Sequence, residues 1–181
     1  MPKKLPKIIT QEEFEKLFSE TIKIEKKVSR KKKPRIRQYR LAMLLGFEAG
    51  MRISEIVGLK PHIPPLQKSN IHYNYIKVFG KGGRERIVPK PKRMNKQAIA
   101  MLPLNLKRRM VQRFFTDLGE SILGRHITFH TLRHGFGSHL AGSGRPLHEI
   151  QMMMGHSRLD TTGIYLHANP KQTIEKAMEV F

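Results

Sequence analysis

Cysteine is absent from the chain. Its absence excludes disulfides, a thiolate nucleophile and every cysteine-based zinc site, so any covalent chemistry must use another nucleophile. Acidic residues are scarce: 14 Asp and Glu stand against 35 Lys and Arg, giving a formal charge of +21 and a pI near 10.6. An excess of that size is more than an ordinary solvated surface carries and indicates a polyanionic partner, most simply nucleic acid. Long apolar runs are also missing, and no signal-peptide core follows Met1. A membrane is therefore the weakest of the polyanionic candidates, and the expected setting is cytoplasmic, close to the nucleoid. At 181 residues the chain has room for one domain with short appendages. It contains no internal repeat, and the only biased segment is the basic run at 26–33.

Local signals divide the chain into a basic, proline-punctuated tail at 1–9, a domain at 10–168 and a terminal helix at 169–181. Thr10 and Glu13 have capping-box spacing, and Phe14, Leu17 and Phe18 supply the stripe of a helix expected to reach about Ile24. The basic run then ends at Pro34, with either a solvated loop or a contact to a nucleic-acid backbone as its reading. Tyr39, Leu41, Leu44, Leu45 and Phe47 mark a central helix, Gly50 interrupts it, and Ile53, Ile56 and Val57 mark a short one ended near Gly58. Pro61, Pro64 and Pro65 exclude regular helix from the next loop. Ile71, Tyr73, Tyr75, Lys77 and Phe79 read as a strand, Gly80 to Gly83 as a turn and Arg84 to Pro89 as the returning strand, which puts Lys81 at a hairpin tip. Two helices broken at Pro103 are expected over 92–123, with Leu106, Met110, Val111, Phe114 and Phe115 buried. Further helices are expected over Phe129–Leu140, over Leu147–Met154, near Tyr165, and after Asn169 and Pro170.

Several polar residues stand out on these elements. His130 and Arg133 lie three apart on one helix and so face the same way, an imidazole beside a fixed fork of donors, a pairing that suits a phosphate. A surface pair on a basic helix is the alternative. His130 and His134 have zinc-ligand spacing, with His126 and His139 nearby, but the glutamate of a metalloprotease motif is missing and arginine sits between them. Arg52 precedes Glu55 by one helical turn, so the carboxylate can fix its guanidinium; a structural ion pair would look the same. Lys81 between glycines can swing a compact ammonium into a cleft or simply be exposed.

Taken together, GMRISEIVGL, GKGGRERIVP and the stretch from Phe129 to His167, with HTLRH, MGHS and TTGIYLH inside it, resemble the catalytic domain of the tyrosine recombinases. That family holds phage integrases, Xer-type resolvases and archaeal integrases. The resemblance runs from Thr10 onward. It implies an α+β fold, mainly α-helical, with a small antiparallel β-sheet carrying a lysine hairpin. It makes Arg52 and Arg133 a phosphate clamp with Glu55 in support, Lys81 the hairpin acid, His130 and His156 auxiliary donors or acceptors, and Tyr165 the nucleophile. The implied reaction is metal-independent strand cleavage through a 3′-phosphotyrosyl link, without cofactor or ATP. The implied partner is double-stranded DNA, with four copies in synapsis and the terminal helix (Ile174, Ala177, Met178, Phe181) docked on a neighbour or packed on its own domain. Lys31, Lys32, Lys33, Arg35 and Arg84 are the candidate contacts to the DNA backbone. Two departures are visible: the proline loop lacks the tryptophan and acids common before the first strand, and Gly137 stands where a more helix-favouring small residue is usual. The family's usual N-terminal helical domain is expected to be missing. A monomeric type IB topoisomerase and a DNA-binding module with a dead site are the rival readings.

Overall fold

The structure is a computed structural model that describes residues 8–155, with the backbone alone at Lys81. Seven α-helices and one β-hairpin occupy this span: α1 (Gln11–Lys27), α2 (Lys33–Glu48), α3 (Ile53–Val57), β1 (Tyr75–Phe79), β2 (Glu85–Pro89), α4 (Lys96–Ala100), α5 (Arg108–Leu123), α6 (Phe129–Gly142) and α7 (Leu147–Met154). The mainly helical α+β class with a two-stranded antiparallel sheet is as expected. The expected helices near Tyr165 and after Asn169 lie outside the described residues.

Helix α2 is the axis of the domain. Every residue from Leu41 to Phe47 is buried, which is what a helix apolar on all sides requires. Helices α1, α5 and α6 pack around it. Phe14 of α1 stacks on Phe47 at 4.1 Å between ring centroids, and Phe114 of α5 stacks on Tyr39 at 4.3 Å. The Thr10–Glu13 capping box starts α1, with both reciprocal hydrogen bonds formed. Helix α1 then runs one turn beyond the expected end, to Lys27, so the basic run supplies the last two residues of α1, a five-residue connection and the first residue of α2. Packing also begins before Thr10: Ile9 is 2% exposed and Ile8 O accepts from Arg125 Nη2 at 2.9 Å.

Two other local readings change. In β1 the inward side chains are Ile76 and Val78, opposite Val88 of β2, while Tyr73 and Tyr75 face solvent. The two helices expected on either side of Pro103 are α4 and α5, but α4 is short, and between them Leu102, Leu104 and Leu106 are buried while Pro103, Asn105 and Lys107 are exposed. Arg93 fastens this stretch to the bundle by ion pairs to Glu15 of α1 and Glu48 of α2, its guanidinium lying 4.4 Å over the Phe18 ring.

Helix α6 comes very close to the core at Gly135, where an added Cβ would lie 2.7 Å from Ile9 O and 2.7 Å from Phe47 Cε2. A backbone oxygen cannot swing aside, so Gly135→Ala is expected to destabilise the domain by about 1–3 kcal/mol, the usual cost of overpacking. Thermal unfolding checks this; an unchanged Tm would contradict so close an approach of α6 to Ile9.

Candidate active site

Three arginines from three separate elements converge on the carboxyl end of α7, and two of them, Arg52 and Arg86, share one buried carboxylate. Glu55 sits in the first turn of α3, where its Oε2 accepts from the Arg52 backbone N–H at 2.6 Å and its Oε1 from Arg52 Nη1 at 3.0 Å. Arg86 of β2 approaches the same carboxylate in a bidentate fork, Nη1 to Oε1 at 2.7 Å and Nη2 to Oε2 at 2.8 Å. The Glu55 side chain is 1% exposed. Burial alone would raise its pKa, but hydrogen bonds and charge from Arg86, then from Arg52, outweigh that and hold the carboxyl below its ordinary value.

The other half of the convergence is backbone. A helix leaves its last carbonyls without internal partners and carries partial negative charge at that end. At the end of α7 three successive carbonyls, the last two of the helix and that of its cap Gly155, are taken by guanidinium groups. Met153 O accepts from Arg86 Nε at 2.8 Å, Met154 O from Arg133 Nη2, and Gly155 O from Arg52 Nη2 at 3.2 Å. Gly155 ends the helix at φ +59°, where an added Cβ would lie 3.0 Å from Arg86 Cδ, so both conformation and space favour glycine. Arg133 also donates from Nη1 to Gly50 O at 2.6 Å and is 1% exposed.

Arg52 and Arg86 line a cleft of about 870 Å³ with Ser54, Gly80, Gly82, Arg84 and Met152. The hairpin turn, closed by Gly80 N–H donating to Arg84 O at 2.8 Å, carries the Lys81 backbone at this cleft's rim. Three guanidinium groups against one carboxylate leave the cluster with a net charge of +2, suited to an anion. His130, one turn before Arg133 on α6, has its pKa lowered by partial burial and by the positive fields of Arg133 and Arg52, which keeps its imidazole neutral and able to accept a proton at pH 7. The His134 ring meets it edge to face at 4.6 Å.

The structure places Arg52, Glu55, Arg133 and His130 near one another. Arg84 is exposed on the cleft wall; Lys31, Lys32 and Arg35 are exposed and Lys33 half-buried at the α1–α2 junction, and none of these four lines the cleft. His156 and Tyr165 lie outside the described residues. Arg86 went unread in the sequence, although it shares strand parity with the inward-facing Val88. An arginine at an inward strand position needs a buried anion.

Comparison with known proteins identifies what the chain is similar to. Residues 103–172, a span that contains His130, Arg133, His156 and Tyr165, match the phage integrase family. Over 155 aligned residues the chain is 32% identical to tyrosine recombinase XerD of Staphylococcus aureus, covering 74% of this chain and 51% of that one. XerD of Pseudomonas aeruginosa is 35% identical over 147 residues, covering 67% and 46%. The chain spans about half the length of these relatives. The crystal structure of XerH site-specific recombinase bound to palindromic difH substrate, a post-cleavage complex, superposes with a TM-score of 0.73 at 23% identity over 98% of this chain and 54% of that one. The catalytic domain of bacteriophage HP1 integrase gives 0.62 at 21% identity, covering 88% and 86%. The chain carries a catalytic domain of the tyrosine recombinase and phage integrase family.

The second histidine of α6 gives the site a pH signature. Burial, then the fields of His130 and Arg133, holds the His134 imidazole down to about 4, against an ordinary value of 6.5. The unfolded chain takes up that proton first as pH falls, so the contribution is intact above 6.5 and is lost between 6.5 and about 4, with His130 acting in the same direction. Thermal unfolding followed from pH 7 to 4 should show Tm falling across that window, and His134→Gln should flatten the fall. Equal slopes for the two proteins would contradict the assignment.

Proposed function

We propose that this chain is the catalytic part of a site-specific DNA recombinase that cleaves and rejoins strands through a 3′-phosphotyrosyl intermediate. The observation that carries the reading is the convergence of Arg52 and Arg133 on the end of α7, immediately before the segment that holds His156 and Tyr165. Tyr165 Oη attacks the scissile phosphorus, the new P–O bond forms as the P–O5′ bond breaks, and the 5′-oxygen leaves with a proton from Lys81. The Tyr165 proton passes to His130, whose lowered pKa leaves it unprotonated at neutral pH. A phenol with pKa near 10 reacts poorly on its own, so the phosphate charge must be neutralised as attack proceeds.

Arg52, on the cleft wall, meets the non-bridging oxygens first. Arg133 joins once the Met154 carbonyl releases its Nη2, and His156 adds a third donor. Attack by a 5′-hydroxyl of another strand reverses the chemistry and conserves bond energy. Lys31, Lys32, Lys33, Arg35 and Arg84 hold the flanking DNA backbone, four copies act in synapsis, and residues 169–181 dock on a neighbouring copy. Because backbone charge supplies most of that grip, binding weakens steeply with salt, by a log–log slope of about −0.9 per phosphate neutralised.

Trapping on a nicked duplex tests the reading. The wild-type chain should form a covalent protein–DNA adduct, Tyr165→Phe none, and Arg52→Ala should form it at least about a hundredfold more slowly, the usual cost of losing a donor to developing charge. An adduct with Tyr165→Phe would overturn the nucleophile, and no wild-type adduct would favour a DNA-binding module without chemistry.

A further inference from the structure

We infer that Arg86 is a positioning residue that sets how much of the Arg52 guanidinium is left for the scissile phosphate. The inference rests on the recombinase reading for its kinetic consequence and on geometry alone for its structural one. Arg86 is 10% exposed at its side chain, and its Nε, Nη1 and Nη2 each make a hydrogen bond, one to Met153 O and two to Glu55. Both arginines line the cleft, but Arg86 is the more deeply held of the two, and Arg52, at 35% exposure, is the guanidinium that offers more of itself to the cleft.

Glu55 is shared between them, and the sharing is what matters. A buried carboxylate must be satisfied by whatever donors it can reach. With Arg86 in place, Oε1 accepts from one Nη of Arg52 and one of Arg86, and the second Nη of Arg52 bonds, among the described residues, a main-chain carbonyl 3.2 Å away, the longest of the cluster's hydrogen bonds and the easiest to exchange for a phosphate oxygen. Without Arg86, Glu55 keeps a single guanidinium partner among the described residues, that of Arg52, and draws it into a fork of its own, turned from the cleft. The same residue ties the hairpin that carries Lys81 to α7, since β2 and α7 meet through Arg86 Nε and Met153 O. Lysine cannot substitute, because an ammonium is a point donor and cannot serve both carboxylate oxygens and the carbonyl in fixed directions.

The test compares wild type, Arg86→Lys and Arg86→Ala with Lys77→Ala on the outward face of β1 as control. Arg86→Lys keeps charge and stem, so a folded protein remains for measurement should Arg86→Ala fail to fold. Two readouts are taken. The first is the Arg52 Nε–H signal in arginine-labelled protein without DNA, which should shift and exchange faster in Arg86→Lys and stay in place in Lys77→Ala. The second is single-turnover adduct formation on nicked duplexes bearing an ordinary scissile phosphate or an uncharged methylphosphonate. Arg86→Lys should slow the first by about tenfold or more and the second much less, because only the charged phosphate calls on the Arg52 guanidinium. A general loss of structure would slow both equally.

An unmoved Arg52 signal, or equal slowing on both substrates, would overturn the role given to Arg86. Absence of adduct from wild type, with the Arg52 signal still moving in Arg86→Lys, would instead overturn the recombinase reading and leave the positioning supported.

Discussion

The carboxylate of Glu55 is the one group in this structure on which the arrangement of the others depends. Burying a charged carboxylate costs several kcal/mol unless its lone pairs are filled by well-placed donors. Here four hydrogen bonds fill them, one from the Arg52 main chain, one from its side chain and two from Arg86. These donors arrive from the start of α3 and from β2, so satisfying one buried charge fixes the hairpin against the helical bundle. A neutral residue could fill the same volume, but it would not orient two guanidinium groups.

The carboxyl end of α7 is the complementary half. Its last carbonyls need donors and the arginines need acceptors, most stringently at Arg133, which is 1% exposed. The two needs are met together, which joins α2–α3, β2, α6 and α7 at one point. The bundle beneath supplies the rigid support: α2 is buried along its length from Leu41 to Phe47, and α6 lies close enough to it to demand glycine at 135. A net positive charge held on a packed scaffold beside a cleft is a preorganised arrangement suited to an anion.

How much of this was legible in the sequence depended on how local each signal was. The capping box of Thr10 and Glu13, the bounds of α7 and the Arg52–Glu55 pair are set within one helical turn, and each was readable. Arg86 was not, because its partners lie 31 residues back at Glu55 and 67 ahead at Met153. No spacing rule reaches across such intervals. The inward face of β1 was obscured by Tyr73, Tyr75 and Phe79, aromatic residues that suit a strand on either face, whereas Ile76 and Val78 are the buried ones. Between Met94 and α5, leucines at 102, 104 and 106 follow a period of two that a helical reading of the longer segment hid. The polar kit was recognisable as a set because its order along the chain is that of a known family, although its geometry was not.

The most direct test is the pH dependence of the stability difference between wild type and Glu55→Gln. Glu55 has a folded-state pKa below its ordinary value, so its contribution is present above about 4.5 and is lost as pH falls through the folded value. Denaturant unfolding should find the variant less stable by about 3–5 kcal/mol at pH 7, the range for removing one partner of a buried ion pair. The gap should then close as acid protonates the wild-type carboxylate. A gap that is the same at pH 7 and in acid, or none at pH 7, would contradict the claim that the charge of Glu55 organises the site.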